Sequence, residues 1–527
     1  MAGMQALPKE LFDLTIEHLV VTIGIRKAVL LRTVNRGFNA SILHAICISK
    51  VISIHDPATP YLAREIGSTM RGRIVAAEST NCSQGEASYL SVVASVINSL
   101  TGSADRTNEE LLRSQRETVA GAVKLVSAEF ISPQVKLQNL LCGAALTGNV
   151  SIASALLDEG RSQDSAANVN GATPYFDNAL SLAAGQGHLE MVHLLLQLGA
   201  VPSLASMSGH QRKRPITQAD WYALDEMASG SALRSSHPSA LRTAVEGGHK
   251  HILHLLLKHT KRLPTDDLEY LRAIVAGAAA GRLDLIHLVL NAIQKDLTHF
   301  PGLDNEMMWA AVRKNQKTVV QWLLDKGADI NAYPYPDIRS YHCVLELAAS
   351  RGHIGMVRFL LERGADVNFN PLHRFGNSPV ASAAHCGHDE IVLLLLEAGA
   401  DPEEAFVSAA SGGQPRMLRI LLGLYPDLVA RDKGELGCTA FRRALCICNL
   451  SAMKILVEAG FPINGPVEDP ALLPMNMAKQ GFGRWIEDYM IVLGAQKTYE
   501  EADSRIHGTG LDGLKITQRT WQWAGRY

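Results

Sequence analysis

Leu347-Ala348-Ala349-Ser350-Arg351-Gly352-His353, then Met356, Val357, Phe359, Leu360 and Leu361, then Gly364-Ala365-Asp366-Val367-Asn368, is the stretch that decides the fold. The order returns at Ala383-Ala384-His385-Cys386-Gly387-His388, with Ile391, Val392 and Leu394 to Leu396 before Gly399-Ala400-Asp401. It stands earlier at Leu182-Ala183-Ala184-Gly185-Gln186-Gly187-His188, with Met191, Val192 and Leu194 to Leu196 before Gly199-Ala200. Each copy reads as two short helices. The alanine-rich first helix admits a neighbouring backbone closely, and Gly352 supplies a turn that a side chain would crowd. In the second helix Val357, Leu360 and Leu361 fall at i, i+3 and i+4, which makes one apolar stripe. Gly364 then ends the helix as a left-handed cap.

Working outward, the turn position recurs at Gly148, Gly187, Gly248, Gly281, Asn315, Gly352, Gly387, Gly413, Cys448 and Gly481. From Gly248 onward the gaps are 33, 34, 37, 35, 26, 35 and 33 residues, yet the distance from turn to closing glycine is 12 in six copies. A constant interior beside variable gaps means one two-helix unit joined by loops of changing length. A lone hairpin of this kind leaves its stripe in water; stacking on the next one buries both. The gap from Gly187 to Gly248 is 61 residues and holds Pro202 to His237, rich in Ser, Gly, Arg and Lys, which reads as a loop insertion over 202–237.

This unit resembles the ankyrin repeat, with its glycine–histidine turn and Gly-Ala-Asp finish, over about 360 residues from Lys136 to Thr498. The best matches to the family's opening are Ser378-Pro379-Val380-Ala381 and Thr439-Ala440-Phe441-Arg442. Asn315-Gln316 and Cys448-Asn449 depart from it at the turn, and the tenth unit is degenerate around Gly481-Phe482. The resemblance implies an all-α ankyrin-repeat solenoid of about ten helix-turn-helix units, preceded by a helical N-terminal region. With its N-terminal helices and repeats together, the chain is similar to ankyrin proteins of the fungal type.

Leu7-Pro8-Lys9-Glu10-Leu11, with Leu14, Ile16 and Leu19, makes a proline-initiated amphipathic helix, and Ala28 to Phe38 a second. Leu7, Pro8, Glu10 and Leu11, then Val34, Arg36 and Phe38, resemble the opening and close of the F-box, although Thr15 stands where that motif has an aliphatic residue. That resemblance implies docking on the adaptor of a cullin-type ubiquitin ligase. Read from the residues alone, the segment is a cap over the first repeat's apolar face. Residues 51–135 read as a helical connecting region with helices at 61–77, 87–100 and 109–128, and Glu109 and Glu110 in the first turn of the last. The domain plan is therefore 1–50 (F-box-like or capping helices), 51–135 (connector), 136–498 (solenoid) and 499–527 (tail). The tail carries Trp521, Trp523 and Tyr527, read as packing on the last repeat or as a docking peptide.

Composition narrows the functional classes. Lys plus Arg is 50 against 52 for Asp plus Glu, a net charge of −2, so no global field attracts nucleic acid or an anionic membrane. No apolar run reaches the roughly 18 residues of a membrane span, and Met1 to Asp13 lack the order of a secretory signal. Eight scattered cysteines read as reduced thiols. The expectation is an intracellular protein of the cytoplasm, the nucleus or both. Arg212-Lys213-Arg214 in the insertion is a basic run suited to nuclear import, or else a solvated loop tip.

No reactive constellation converges. Gly508-Thr509-Gly510-Leu511-Asp512-Gly513 has dinucleotide spacing, but no buried strand precedes it and fourteen residues follow it. His249, His251 and His254 cluster, yet His249 holds the turn position, where the resemblance gives histidine a structural role. Cys446 and Cys448 have no second pair, and Cys386 between His385 and His388 lies in a turn. Catalytic residues, metal and cofactor are all expected to be none. The expected activity is non-enzymatic binding of other proteins, without direct nucleic-acid binding. In the family that the chain resembles, partners meet the loop tips and the first helices. Here those positions carry Trp309, Arg313, Arg351, Arg442 and Arg443, with loop residues Tyr333, Tyr335, Arg339, Tyr341, Arg374, Phe375 and Arg431, types that dominate interface energies. The alternatives are a ligase substrate receptor and a nuclear co-regulator bound to a transcription factor.

Overall fold

The computed structural model of the chain describes residues 12–20, 41–42, 45–46, 68–79, 89–101, 109–124, 132–158, 167–202, 239–260, 268–331, 343–369, 378–431, 435–461, 463 and 484–494; no strand occurs among them. The chain divides into two compact units, Met1–Asp296 and Leu297–Tyr527. The insertion at 202–237 falls outside the described residues apart from its first position, and the tail and Gly508 to Gly513 fall outside them entirely.

In the first unit, helices α1 (Ser68–Ser79), α2 (Tyr89–Thr101) and α3 (Glu109–Ala122) precede the hairpins. α1 crosses α3 where Gly72 and Gly121 meet, a β-carbon on Gly72 standing 3.2 Å from the Gly121 Cα. Arg71 Nη2 donates to the Gly121 carbonyl there, at 2.6 Å. α2 lies against α4 (Pro133–Thr147), with the Val96 side chain seated on Gly143. These helices therefore cover one side of the first hairpin, as a capping element must. Farther towards the N-terminus, the helical residues 12–20 bury Ile16 and Val20, and Ser41 Oγ donates to Asp13 Oδ1 at 2.6 Å.

Four hairpins follow: α4 with α5 (Val150–Leu157), α6 (Ala179–Gln186) with α7 (Leu189–Gln197), α8 (Ala240–Glu246) with α9 (Lys250–His259), and α10 (Leu268–Ala280) with α11 (Leu283–Ile293). The second unit holds five more: α12 (Leu303–Arg313) with α13 (Lys317–Asp325), α14 (Val344–Ser350) with α15 (Ile354–Glu362), α16 (Pro379–Cys386) with α17 (Asp389–Glu397), α18 (Pro402–Ser411) with α19 (Pro415–Leu424), and, after the short α20 (Asp427–Arg431), α21 (Glu435–Cys446) with α22 (Leu450–Glu458). Of the tenth copy, α23 (Arg484–Val492) is described. Within each unit every first helix packs on the first helix of the next hairpin, in chain order. The alanines fill that seam: Ala183, Ala184, Ala348, Ala349, Ala383, Ala384, Ala409 and Ala410 are all fully buried. On the second helices the stripe positions Val357, Leu360, Val392 and Leu395 are fully buried too.

Every expected turn position among the described residues has a positive φ, including Asn315 at 58° and Cys448 at 52°. At Gly352 a second requirement joins the dihedral. The imidazole of His388, from the following hairpin, occupies the space a side chain would need. It is there to bond backbone. His388 Nε2 lies 3.1 Å from the Ser350 carbonyl oxygen, which accepts only, so Nε2 carries the proton. His188 reaches Leu146, His249 reaches Gly185 and His353 reaches Arg313 in the same way, at 3.0, 3.2 and 3.2 Å. Gln414 makes the same bond without a histidine, its Nε2 donating to the His385 carbonyl, whereas Arg282 Nη1 donates to the carbonyl of the turn residue Gly248 itself. Each such bond satisfies a carbonyl that the ending helix leaves open.

The loop ends add a second tie. Asp366 Oδ1 accepts from the Asn368 amide at 3.0 Å, an Asx turn, and Asn368 Nδ2 donates to the Gly399 carbonyl at 3.1 Å. Asn331 accepts from the Asp366 amide, and Asn170 spans to Gly199 and Val201. Neighbouring hairpins are thus held at both ends by single side chains, with the apolar seam between.

Candidate functional site

In the second unit the first helices α12, α14, α16, α18 and α21 lie side by side, and counting back from each left-handed turn sorts their residues into faces. Residues three, four, seven and eight before the turn are the buried ones, such as Ala349, Ala348, Leu345 and Val344. The opposite face is formed by residues two before (Arg313, Ser350, His385, Ser411, Cys446), five before (Ala310, Leu347, Ser382, Ser408, Arg443) and six before (Trp309, Glu346, Ala381, Val407, Arg442). Much of this face is covered as well: Ala310, Leu347, Ala381, Val407 and Ser408 are buried, and of the residues named only Arg443 and Cys446 are exposed.

The structure distributes the expected interface residues unevenly. Arg351 and Arg443 are exposed and Arg442 is half-buried. No ion pair to an acidic side chain forms at these three among the described residues. Elsewhere Arg363, Arg416 and Lys454 pair with Asp325, Asp389 and Glu458 at 3.7, 3.3 and 3.6 Å, while Arg358 and Arg419 on the second helices form no such pair among the described residues. Trp309 does not stand outward. It is 9% exposed, and the Arg313 guanidinium lies 5.1 Å from its ring centroid, a cation–π contact that covers the indole. Tyr333, Tyr335, Arg339, Tyr341, Arg374, Phe375 and the Arg431 side chain lie outside the described residues. So do Leu7, Pro8, Glu10, Leu11, Val34, Arg36 and Phe38, and the basic run Arg212, Lys213 and Arg214.

Two carboxylates belong to this face that sequence reading passed over. Glu346, 4% exposed, accepts from Ser382 Oγ at 2.9 Å across the α14–α16 seam. Glu404 accepts from the Ser378 hydroxyl across the α16–α18 seam, and burial raises its carboxyl above the ordinary range while that bond pulls it back. An acidic residue inside an alanine-rich helix was the available signal. His385 sits in the next row. Ser411 Oγ gives its proton to the Ser408 carbonyl at 2.9 Å, so it accepts from His385 Nδ1–H at 3.0 Å. Burial, and then the charge of Arg443, hold the His385 imidazole below its ordinary pKa.

Among the described residues no three His, Cys, Asp or Glu side chains group to hold a metal ion. His249 is spent on the Gly185 carbonyl, while His251 and His254 face solvent from α9. No helix among the described residues is long and apolar enough to cross a membrane.

Comparison with known families and proteins agrees with the geometry. A family model described as ankyrin repeats, in three copies, matches residues 307–405, and one described as ankyrin repeat matches residues 176–206. The chain is similar to the ankyrin repeat and KH domain-containing protein mask-1 of Caenorhabditis elegans, with 25% identity over 253 residues. That match takes in 41% of this chain and 9% of the relative's length.

Proposed function

For a chain that carries ankyrin repeats in an all-α solenoid, repeats of a kind that mediates binding to other proteins, we propose a regulatory, non-enzymatic scaffold working inside the cell. Partner proteins lie along the groove formed by the first helices and the loops beside them. Arg313, Arg351, Arg442 and Arg443 contribute from the helices, with Trp309 beneath Arg313 as its support, and Tyr333, Tyr335, Arg339, Tyr341, Arg374, Phe375 and Arg431 from the loops. One observation carries the reading: Arg442 and Arg443 stand side by side on α21 with no carboxylate partner among the described residues, and Arg351 is exposed at the turn of α14. A guanidinium held without an internal partner is available to an external one.

The test is site-directed photo-crosslinking in cells. A crosslinking residue at 351 or 443 is expected to capture discrete proteins, and one at 358 or 454, on the second helices, is not. Equal capture from both faces overturns the reading.

A second reading draws on Leu14, which is 60% exposed on a helix that buries Ile16 and Val20 completely. An apolar side chain outside the internal packing supports a docking role for the N-terminal helices, with Leu7, Pro8, Glu10, Leu11, Val34, Arg36 and Phe38 as the adaptor-contacting set. Deleting residues 1–50 is expected to abolish co-purification of a ubiquitin-ligase adaptor. If the full chain retains no adaptor either, this reading falls.

A further inference from the structure

We propose that the face over α16, α18 and α21 receives an acidic segment of a partner protein that also carries an apolar side chain. The proposal rests on the scaffold reading and adds the chemistry of the partner.

The recess comes from α18. A β-carbon on Gly412 would run into the His385 carbonyl, so the end of α18 touches that of α16 backbone to backbone. Ser408 and Ser411 are all that α18 offers at the two rows between its neighbours. On one side stands His385, bonded to Ser411. On the other stand Arg442 and Arg443, and the charge of Arg443 is felt at both His385 and Cys446. No carboxylate among the described residues pairs with either arginine, and Arg351 adds an exposed cation at the turn of α14, next in the stack after α16.

Beside the cations, Ile447 is 41% exposed, with its Cδ1 3.2 Å from where a β-carbon on Gly413 would stand. A surface of paired guanidinium and isolated aliphatic side chain matches Glu or Asp followed closely by Leu or Ile. The carboxylate takes a forked bond from arginine and the apolar group covers Ile447. A nucleic-acid backbone fits less well. Its phosphates bring no aliphatic group to cover Ile447.

The experiment is fluorescence anisotropy on the full chain with a ~12-residue peptide of repeated Glu-Glu-Leu-Gly, its Gln-Gln-Leu-Gly twin, and an oligonucleotide of equal charge. The acidic peptide is expected to bind, more weakly as salt rises, and the Gln twin to bind at least roughly tenfold more weakly. Arg442→Glu with Arg443→Glu is expected to reduce binding by roughly tenfold or more, and Arg358→Glu, on the second-helix side, to leave it unchanged. Should the double variant lose its helical circular dichroism, Arg443→Gln replaces it, with a loss of roughly threefold expected. Equal binding of the Gln twin, an unchanged double or Gln variant, or tighter binding of the oligonucleotide overturns the proposal. A photo-crosslinker at 447 separates the two readings. Capture of partners whose crosslinked segments are not acidic leaves the scaffold standing and removes this inference; capture of nothing at this face removes both.

Discussion

His388 and Gly352 interlock across two hairpins: the imidazole bonds the Ser350 carbonyl at 3.1 Å, and its Cε1 lies 2.7 Å from where a β-carbon on Gly352 would stand. Gly364 has the same left-handed backbone, φ 88° against 75°, with open space in place of the ring. The pair therefore separates dihedral strain from crowding. Gly364→Ala is expected to cost about 1–2 kcal/mol, the price of a left-handed Cβ. Gly352→Ala is expected to cost about 1–2 kcal/mol more, because the ring must leave its carbonyl. Urea unfolding followed by circular dichroism checks this, and equal midpoints for the two variants would show that the ring has room to move.

The seam between hairpins rests on residues such as Leu395, fully buried on the apolar stripe of α17. Leu395→Ala removes three carbons from a site walled by two neighbouring hairpins, and a loss of about 2–5 kcal/mol is expected. A thermal midpoint indistinguishable from that of the parent chain would contradict the burial.

The repeat was legible because its signals are local. A constant distance from turn to closing glycine located the left-handed position even where it holds Asn315 or Cys448, since spacing survives a change of residue type. The apolar stripe and the alanine seam follow from helical periodicity. What stayed hidden depends on which residue of the next hairpin comes opposite. Trp309 read as an outward aromatic, but Arg313 one turn on lays its guanidinium over the ring. Glu346 gives no reading in the sequence, and only the placement of Ser382 across the seam explains a carboxylate that is 4% exposed. Gln138 is hidden in the same way: its amide donates to the Asn168 and Gly171 carbonyls, some 30 residues along the chain.

One turn histidine, His353, is sensitive to pH. Burial, foremost, holds the His353 imidazole below its ordinary pKa, with the charges of Arg351 and His388 acting in the same direction and the bond to Arg313 against it. A depressed folded value means that the unfolded chain binds more protons, so this contribution to stability is complete above about pH 6.5 and is lost as pH falls below it. Gln414 shows that glutamine makes the same backbone bond without titrating. His353→Gln is therefore expected to keep the fold and to flatten the stability loss as pH falls below about 6.5. Glu404, with its raised carboxyl, acts in the opposite sense in parent and variant alike, so the difference between their curves reports His353. Parallel curves for parent and variant would show that His353 does not contribute.

Thiol reactivity tests the packing of the first helices and the position of Arg443 together. Cys142 and Cys343 are buried, and burial pushes both thiols up, Cys343 to about 12, so neither supplies thiolate at neutral pH. Cys446 and Cys448 are exposed at the end of α21 and in the turn after it. Maleimide labelling read by peptide mass is expected to mark Cys446 and Cys448 in the folded chain and Cys142 and Cys343 only after denaturation. Burial also raises the Cys446 thiol, but Arg443 and then Arg442 pull it down, whereas at Cys448 burial acts alone. Arg443→Gln should therefore slow Cys446 by roughly twofold, the loss of one nearby cation at an exposed site, and leave Cys448 at its former rate. The two cysteines share one turn, so a general loosening would change both. A change confined to Cys446 places the guanidinium over the end of α21, and equal rates before and after the substitution would place it elsewhere.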